Sequence, residues 1–402
     1  MNTEQLKKEA MKLRESKHQI IKTVLNADMK DSHDLATVYT PGVSAPCLVI
    51  KEDEDLSLTL TWRGNVVAVI SDGTRVLGLG DIGPAASIPV MEGKSALYKR
   101  FGNIDAIPIV IDTKDKDEFI RTVQLLEKSF AGINLEDISS PKCYDIEDEL
   151  KKTMNIPVFH DDQHGTAIAA LAALLGALKV AEKKLEDVKI VVNGAGAAGT
   201  AIARLILEAG ANPKNMTVLN SKGILYDNGK RDRVQCELLA KVNPDNKQGT
   251  LEDAICGADV LIGCSAPGVF NCEALRTMAD KSIVFAMANP VPEIMYDEAK
   301  DKGVFIYGSG RSDMPNQVNN SSVFPGLFRG ALDVRARQIN EEMKLAAAYA
   351  LADFATSENS DPNHIVVDVF DPRVPMAVAK AVAKAAIESG VARTTELPEQ
   401  YK

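Results

Sequence analysis

The chain has 402 residues, of which 45% are hydrophobic and 25% charged, and its formal net charge is −10. This length predicts two domains, because single hydrophobic cores rarely grow beyond roughly 250–300 residues. The excess of acidic residues argues against nucleic acid or an anionic membrane as the main partner. Six cysteines without a C-x-x-C pair indicate reduced thiols in a cytoplasmic protein.

The first part of the chain is predicted to begin with a helix over residues 1–26. This segment is charged throughout and lacks the apolar stretch of a signal peptide. Another helix is expected over 117–131. Short apolar runs predict strands at 66–70, 106–111 and 156–159.

The longest apolar run, residues 167–181, is broken by Lys179 and is shorter than the roughly 20 residues that a membrane span needs. It predicts a helix over 167–183 that is buried on most sides, and no membrane span. Beyond it, short apolar strands alternate with helical segments, which is typical of a parallel doubly wound sheet. These strands are expected within 189–193, 216–220, 259–265, 282–290 and 304–310.

The predicted elements indicate an α/β protein with two domains. Residues 1–160 are expected to form an N-terminal α/β domain. Residues 161–402 are expected to form a Rossmann-like domain with a doubly wound parallel sheet. The Ala-rich segment after NNSSVFPGLFRGAL (319–332) predicts C-terminal helices in this second domain.

Two loops, 78–83 and 194–199, carry the pattern G-x-G-x-x-G. The second follows a strand and opens a helix, which is the context that lets a helix N-terminus face a pyrophosphate. The predicted dinucleotide loop is therefore Gly194, Ala195, Gly196, Ala197, Ala198 and Gly199. The first loop is followed at once by Pro84 and then by Pro89. No crossover helix is expected to begin there, and a glycine-rich turn is predicted instead.

The end of the second Rossmann strand normally carries an acid that binds the ribose 2′-hydroxyl of NAD. Here that position is Asn220, followed by Ser221 and Lys222, which could accept a 2′-phosphate. A plain Asn-Ser turn is an equally good interpretation. The choice between NAD and NADP therefore stays open.

Two pairs of neighbouring acids each follow apolar residues. They are Glu136 with Asp137, and Asp161 with Asp162 at the point where a strand ends before a helix. In open α/β sheets that edge is the ligand side. Converging carboxylates suit Mg²⁺ or Mn²⁺. A zinc site that uses His160 and His164 is the less favoured alternative.

Several longer segments now stand out, in order along the chain. They are VYTPGVSAPC (38–47), SDGTRVLGLGDIGP (71–84), PVMEGKSAL (89–97), INLEDI (133–138), FHDDQHGTA (159–167), VVNGAGAAG (191–199), MANPVPE (287–293) and NQVNNSSVFPG (316–326). Together they resemble the malic enzymes, specifically the short prokaryotic type without a fused acyltransferase domain. The resemblance covers about residues 20–390.

The resemblance implies oxidative decarboxylation of (S)-malate to pyruvate and CO₂, with reduction of NAD or NADP and a requirement for Mg²⁺ or Mn²⁺. Decarboxylation of oxaloacetate is also implied, as is a homodimer or a higher homo-oligomer. Within this scheme Lys94 is the general base on the C2 hydroxyl, Tyr39 the general acid toward the enol carbon, and Asp161 orients Lys94. A lysine base must be neutral to act, so burial or nearby positive charge is expected to lower the pKa of Lys94.

The same resemblance implies the ligand-binding residues. The metal ligands would be Glu136, Asp137 and Asp162, and Arg75 would bind a substrate carboxylate. The malate-binding amides would be Asn289, Asn319 and Asn320. Asn289 and Asn220 would also contact the coenzyme, and His164 has no assigned role.

Rival interpretations differ in the residues that they need. A metal-independent dehydrogenase would share the fold but would not need the acids at 136, 137 and 162. An oxaloacetate decarboxylase without net redox chemistry would not need the glycine loop. An inactive dinucleotide sensor would be expected to lack Lys94 or Tyr39, and both are present.

Overall fold

Two sheets organise the chain, and the computed structural model describes residues 3–357 and 361–402. The first sheet has four parallel strands in the order β2-β1-β3-β4. Its strands are β1 (Val66–Ser71), β2 (Asp105–Val110), β3 (Gly132–Leu135) and β4 (Val158–His160). The helices of this part are α1 (Thr3–Lys17), α2 (Ser32–Val38), α3 (Ser44–Glu52), α4 (Ser57–Leu60), α5 (Pro84–Gly102), α6 (Lys116–Leu125) and α7 (Lys142–Thr153).

The second sheet has six strands in the order β10-β9-β8-β5-β6-β7, and only the short β7 runs antiparallel. Its strands are β5 (Ile190–Asn193), β6 (Met216–Asn220), β7 (Gly223–Ile224), β8 (Val260–Gly263), β9 (Ile283–Ala286) and β10 (Ile306–Ser309). The helices from residue 161 onward are α8 (Asp161–Ala181), α9 (Ala197–Glu208), α10 (Arg233–Val242), α11 (Leu251–Ile255), α12 (Cys272–Leu275), α13 (Tyr296–Asp301), α14 (Phe324–Asp333), α15 (Glu341–Ala355) and α16 (Arg373–Glu388). The α/β class, the doubly wound second sheet and the C-terminal helices are confirmed.

Helix α8 is the apolar helix that joins the two sheets. By length and composition it is the one helix within residues 3–357 and 361–402 that could cross a membrane. However, 72% of its apolar window is buried inside this protein, and it packs against α9 and α15. It is therefore a core helix, as its sequence predicts.

Three predicted boundaries are wrong. The first helix ends at Lys17 rather than continuing to residue 26, because His18 adopts a left-handed backbone with φ 63°. The helix expected to reach residue 131 ends at Leu125 and gives way to a short 3₁₀ turn. Helix α8 begins at Asp161 instead of residue 167, since acids are favoured in the first turn of a helix.

The prediction that no helix follows the 78–83 loop is also wrong. Helix α5 begins at Pro84 and forms the crossover from β1 to β2. Proline is well tolerated at the first helical position, where its missing N–H would have no helical partner. Pro89 lies within the same helix, which continues because it buries Met91 and Tyr98 against the first sheet.

Candidate active site

The register of the first sheet brings the two acidic pairs to one edge. Strand β3 pairs with β4 so that Leu135 lies opposite His160. Glu136 and Asp161 are the next residues after these strands, so both acidic pairs leave the sheet side by side. Helix α5 covers the same edge and brings Lys94 to it.

Lys94 lies between two carboxylates. Its Nζ is 2.6 Å from Asp161 Oδ2 and 2.9 Å from Glu136 Oε1, and the Lys94 side chain is only 8% exposed. The ring of Phe324 lies 4.4 Å from Nζ and closes one side of the cluster. The predicted proximity of Lys94 and Asp161 is thus present in the structure.

Buried polar side chains hold Glu136 in place. Tyr98 donates from its hydroxyl to Asn134 Oδ1 at 2.9 Å, and Asn134 Nδ2 donates to Glu136 Oε2 at 2.9 Å. Both supporting residues are fully buried. This pair was not predicted from the sequence, although Asn134 in the middle of an apolar strand was a usable signal.

Glu136, Asp137 and Asp162 form a group that could hold a metal ion. Each offers one oxygen, and these oxygens lie within 4.8 Å of one another. Asp162 Oδ2 accepts the backbone N–H of Asp137 at 2.7 Å, while Asp137 Oδ2 is buried without a hydrogen-bond partner. Three hard oxygen donors, one of them unsatisfied, fit Mg²⁺ or Mn²⁺.

Crowding of acids and burial perturb every carboxylate in this cluster. Burial and the charges of Asp162 and Glu136 raise the pKa of Asp137 to about 8. Burial also raises the pKa of Asp161 and of Asp162 to about 6, in spite of the opposing charge of Lys94. Such repulsion among buried carboxylates is relieved by a cation.

The predicted lowering of the Lys94 pKa is not found. Burial alone lowers the pKa of Lys94, but the charges of Asp161 and Glu136 outweigh it, and the net direction is upward. The prediction considered burial and positive neighbours, whereas in the folded chain two carboxylates enclose the amine. A divalent cation on the same acids would cancel much of this negative charge.

Gly165 is a further residue that sequence reasoning missed. A Cβ at this position would lie 1.9 Å from Asp161 Oδ1 and 3.2 Å from Asn320 Cβ. Residues 161 and 165 are one helical turn apart on the same face of α8. The Asp161 carboxylate therefore needs a glycine below it, and the spacing D-x-x-x-G was the available signal.

Arg75 lies in the loop between β1 and α5, beside the acids. Its backbone N–H donates to the Asp137 carbonyl at 3.0 Å, and its side chain is exposed. Its charge is one of the influences that lower the pKa of Asp162, against the larger effect of burial. Arg75 is thus close to the metal-binding group, and its side chain is exposed to solvent.

The three asparagines predicted to bind malate differ in their contacts. Asn319 caps a 3₁₀ turn, with its Oδ1 accepting the Ser321 N–H at 2.9 Å. Asn320 lies next to Gly165 and hence to Asp161. Asn289 follows β9 and is exposed, and a Cβ at Gly78 would lie 3.3 Å from its carbonyl oxygen. The 78–83 loop therefore lies against the segment that follows β9 of the second sheet.

The 194–199 loop has the geometry of a dinucleotide loop. Gly194 has φ 133°, and a Cβ at Gly199 would lie 1.7 Å from the Gly194 carbonyl oxygen. A Cβ at Gly196 would meet no atom within 4 Å. The first and third glycines are therefore required by the fold, whereas Gly196 borders open space at the start of α9.

Asn220 forms a local turn. Its Oδ1 accepts the backbone N–H of Lys222 at 2.8 Å, at the corner between β6 and β7. Ser221 and Lys222 are exposed. The turn interpretation of this segment is confirmed, and it does not distinguish NAD from NADP.

The zinc alternative needs both histidines, and only His160 has ring nitrogens without a hydrogen-bond partner, with its Nε2 3.9 Å from Asp162 Oδ2. Both ring nitrogens of His164 have partners: Nε2 is 2.8 Å from Glu147 Oε2, and Nδ1 is 3.1 Å from Lys344 Nζ. Among the described residues, the group with metal-binding geometry is the three acids without a histidine.

Tyr39 is not part of this cluster within the chain. It follows α2, its side chain is 66% exposed, and within the described residues no hydrogen bond or ring contact joins it to Lys94 or the acids. The structure therefore brings together Lys94, Asp161 and the three acids, but leaves the predicted acid Tyr39 apart.

A glycine loop that opens a helix of a parallel sheet, in a chain that also holds a buried lysine between carboxylates, is typical of a dinucleotide-binding α/β oxidoreductase. Comparison with known families narrows this class. A family model described as "Malic enzyme, NAD binding domain" matches residues 163–387, and one described as "Malic enzyme, N-terminal domain" matches residues 15–151. The chain belongs to the malic enzyme family.

Relatives and solved structures agree with this assignment. The bifunctional malic/malolactic enzyme of Bacillus subtilis is 49% identical over 98% of this chain and 96% of its own length. The NAD-dependent malic enzyme of Geobacillus stearothermophilus is 50% identical, covering 94% and 79%. The NADP-dependent malic enzyme of Escherichia coli is also 50% identical, covering 89% of this chain but 49% of that longer protein. The crystal structure of an Entamoeba histolytica malic enzyme has a TM-score of 0.95 at 42% identity, covering 98% and 85%.

Proposed function

We propose that this chain catalyses the oxidative decarboxylation of (S)-malate to pyruvate and CO₂, with reduction of NAD or NADP. The observation that carries the proposal is Lys94 between Asp161 and Glu136, beside three acids that can hold a divalent cation. Decarboxylation of added oxaloacetate would use the same site. Family membership and the dinucleotide loop support the redox step.

Lys94 is proposed to take the proton of the malate C2 hydroxyl while hydride leaves C2 for the nicotinamide. Asp161, at 2.6 Å, fixes the direction of the amine. Glu136, Asp137 and Asp162 would hold Mg²⁺ or Mn²⁺, which as a Lewis acid stabilises negative charge on the C2 oxygen. Breaking the C3–C4 bond then releases CO₂ and leaves enolpyruvate, which needs a proton at C3.

Arg75 and the asparagines are proposed to hold the substrate. A guanidinium can bind a carboxylate through two parallel hydrogen bonds, which suits the exposed Arg75 next to the acids. Asn320, next to Gly165, and Asn289, next to Gly78, would bind malate through their amides together with Asn319. Gly194 to Gly199 would bind the coenzyme pyrophosphate at the N-terminus of α9.

Tyr39 is proposed to protonate enolpyruvate in the site of a second copy of this chain, within a homodimer. Support comes from the N-terminal segment, because no residue from 4 to 56 is buried. Its exposed large apolar side chains are Leu6, Met11, Leu13, Val24, Leu25, Met29, Leu35, Val38, Val43, Leu48 and Val49. So many exposed apolar side chains in one segment are typical of a subunit interface.

The domain roles and the cellular location are proposed together with the mechanism. We propose that residues 1–160 act as a substrate-binding and dimerisation domain and residues 161–402 as the coenzyme domain. The sheets support this division, since the first ends with β4 at His160 and the second begins with β5 at Ile190. A cytoplasmic location remains our prediction.

The test is reduced-nicotinamide formation with L-malate and Mn²⁺, with NAD and NADP assayed in parallel. We expect the absorbance of reduced nicotinamide to increase only when both malate and Mn²⁺ are present. Pyruvate should form in an amount equal to the reduced nicotinamide. The ratio of the two rates assigns the coenzyme. Full turnover in excess EDTA would contradict the metal assignment, and absence of pyruvate would contradict decarboxylation.

A further inference from the structure

Glu147 is a buried carboxylate that the proposed reaction does not use. It lies on α7, is 3% exposed, and its two oxygens are surrounded by donors. Oε1 is 2.6 Å from Lys151 Nζ and accepts the backbone N–H of His160 at 3.2 Å. Oε2 is 2.8 Å from His164 Nε2 and accepts Gln163 Nε2 at 3.2 Å.

The contacts continue from Glu147 to the C-terminal helices. His164 Nδ1 is 3.1 Å from the Nζ of Lys344, a residue of α15 that is 2% exposed. Lys344 Nζ in turn is 2.7 Å from Glu341 Oε1. One connected set of polar side chains therefore ties α7, the first turn of α8 and α15 together.

The first turn of α8 must direct two adjacent aspartates to different partners. Its consecutive residues Asp161 and Asp162 point about 100° apart around the helix axis. Asp161 contacts Lys94, while Asp162 accepts the Asp137 N–H and belongs to the metal-binding group. Only a narrow range of helix rotation lets both carboxylates reach their partners.

Helix α8 has no side-chain cap to fix that rotation. Its N-cap is His160, whose side chain makes no capping hydrogen bond. Glu147 instead binds the His160 backbone N–H and the side chains of Gln163 and His164, so it contacts residues on both sides of the two aspartates. A carboxylate at a helix N-terminus is also favoured by the helix dipole.

We propose that Glu147 is a positioning residue for Asp161 and Asp162, and that His164 and Lys344 anchor it. The network sets the rotation of the first turn of α8 and so aims one aspartate at Lys94 and the other at the metal. The assignment of those two aspartates rests on the proposed function. Residues that orient metal ligands typically change metal affinity or activity by 10- to 100-fold when mutated.

The main test is Glu147→Gln, which keeps the shape but replaces one acceptor oxygen with a donor against Gln163 and His164. Mn²⁺ affinity is measured by water-proton relaxation, and unfolding by thermal melting. We expect an Mn²⁺ dissociation constant about 10- to 100-fold higher. Glu149→Gln, on the same helix and with no side-chain partner in the network, is the matched control and should bind Mn²⁺ like the wild type.

A double variant separates positioning from general destabilisation. If Glu147 acts through Asp162, Glu147→Gln should weaken Mn²⁺ binding little further once Asp162→Asn is present, because effects on one pathway are not additive. Full additivity would overturn the proposal, and so would wild-type Mn²⁺ affinity in folded Glu147→Gln.

If Glu147→Gln does not fold, the proposal is tested with Lys344→Met. This variant removes the contact between Lys344 and His164 without changing α7, and we expect Mn²⁺ affinity to be about 2- to 30-fold weaker. Unchanged affinity in that variant would overturn the proposal. Because Mn²⁺ binding is measured without malate or coenzyme, failure of the wild type to oxidise malate would contradict the proposed function and leave this test intact.

Discussion

The loops at 72–83 and 194–196 occupy equivalent places in two β-α-β units, yet they are built in opposite ways. Each follows the first strand of its unit and leads into the crossover helix. The second loop is short and leaves the N–H groups at the start of α9 free to face a ligand. The first is long and leads into Pro84, which has no N–H to offer.

The glycines show the same contrast. A Cβ at Gly73 would lie 2.2 Å from the Gly83 carbonyl oxygen, so the first loop folds back against itself. This holds Arg75 against the acids, where its N–H reaches the Asp137 carbonyl. In the second loop Gly196 borders open space. We therefore propose that the first G-x-G-x-x-G pattern shapes the substrate side and the second the coenzyme side, a difference that the pattern alone does not show.

The largest expected effect concerns the substrate side. Lys94→Ala should lower kcat by about 10²- to 10⁴-fold, because a general base contributes that much. The KM for coenzyme should change little, since the 194–199 loop is untouched. Steady-state kinetics with both substrates decides this, with the exposed Lys99→Ala on the same helix as control. Wild-type kcat in folded Lys94→Ala would contradict the assignment of the base.

Tyr39 extends the comparison to a third region, the exposed N-terminal segment. The Tyr39→Phe variant alone should form little pyruvate. When equal amounts of Tyr39→Phe and Lys94→Ala chains are mixed and reassembled, half of the dimers contain one chain of each kind. Each mixed dimer has one intact site of two, so up to about a quarter of the wild-type rate should be recovered. No recovery in verified mixed dimers would place Tyr39 in the site of its own chain.

The variants Gly196→Val and Arg75→Ala test the two loops through their KM values for coenzyme and for malate. Val at 196 fits the protein but occupies the space that the pyrophosphate needs, so the KM for coenzyme should rise far more than that for malate. Arg75→Ala should do the reverse, with the KM for malate about 10- to 100-fold higher, because a charge-assisted hydrogen bond is lost. The opposite pattern in folded variants would mean that the loops are assigned the wrong way round.

Gly199→Val provides the matched control for the coenzyme loop. A side chain there would collide with the Gly194 carbonyl, so this variant should be unstable without any ligand. Equal thermal stability of the 196 and 199 variants would contradict the distinction between ligand-facing and fold-required glycines.

The smallest expected effect is on stability. The pKa of Asp137 is raised to about 8 from an ordinary 3.8, so the folded chain binds a proton there more readily than the unfolded chain. The contribution of this carboxyl to stability is therefore present at low pH and is lost as the pH rises toward 8. Metal-free Asp137→Asn should melt higher than the wild type at pH 8.5, by about 2–4 °C for each kcal/mol gained.

Two further measurements check the origin of that gain. The difference in Tm should shrink toward pH 5, where the wild-type carboxyl is protonated. Added Mn²⁺ should raise the Tm of the wild type but not that of the variant, because one ligand charge is gone. The exposed Asp145→Asn serves as control. A variant that melts lower than the wild type at both pH values would contradict the strained-carboxylate interpretation.

Local sequence pattern was sufficient for features that depend on neighbouring residues. The alternation of short apolar strands with helices predicted the second sheet, because each strand is buried on both faces and must be apolar. A strand, a glycine loop and a helix in succession predicted the 194–199 loop. The two acidic pairs predicted a divalent-cation site, with Asp161 and Asp162 at the ligand edge of a sheet, and the resemblance to malic enzymes implied which three acids bind the metal.

Tertiary structure decided what depends on residues far apart in the chain. The strand register placed both acidic pairs beside α5, and only then did the carboxylates enclose Lys94 and raise its pKa. Gly165 became necessary because the Asp161 carboxylate turned back over its own helix. Glu147, His164 and Lys344 come from three helices that meet only in the folded chain. Burial and charge proximity depend on these distances in space, and a linear pattern carries no information about them.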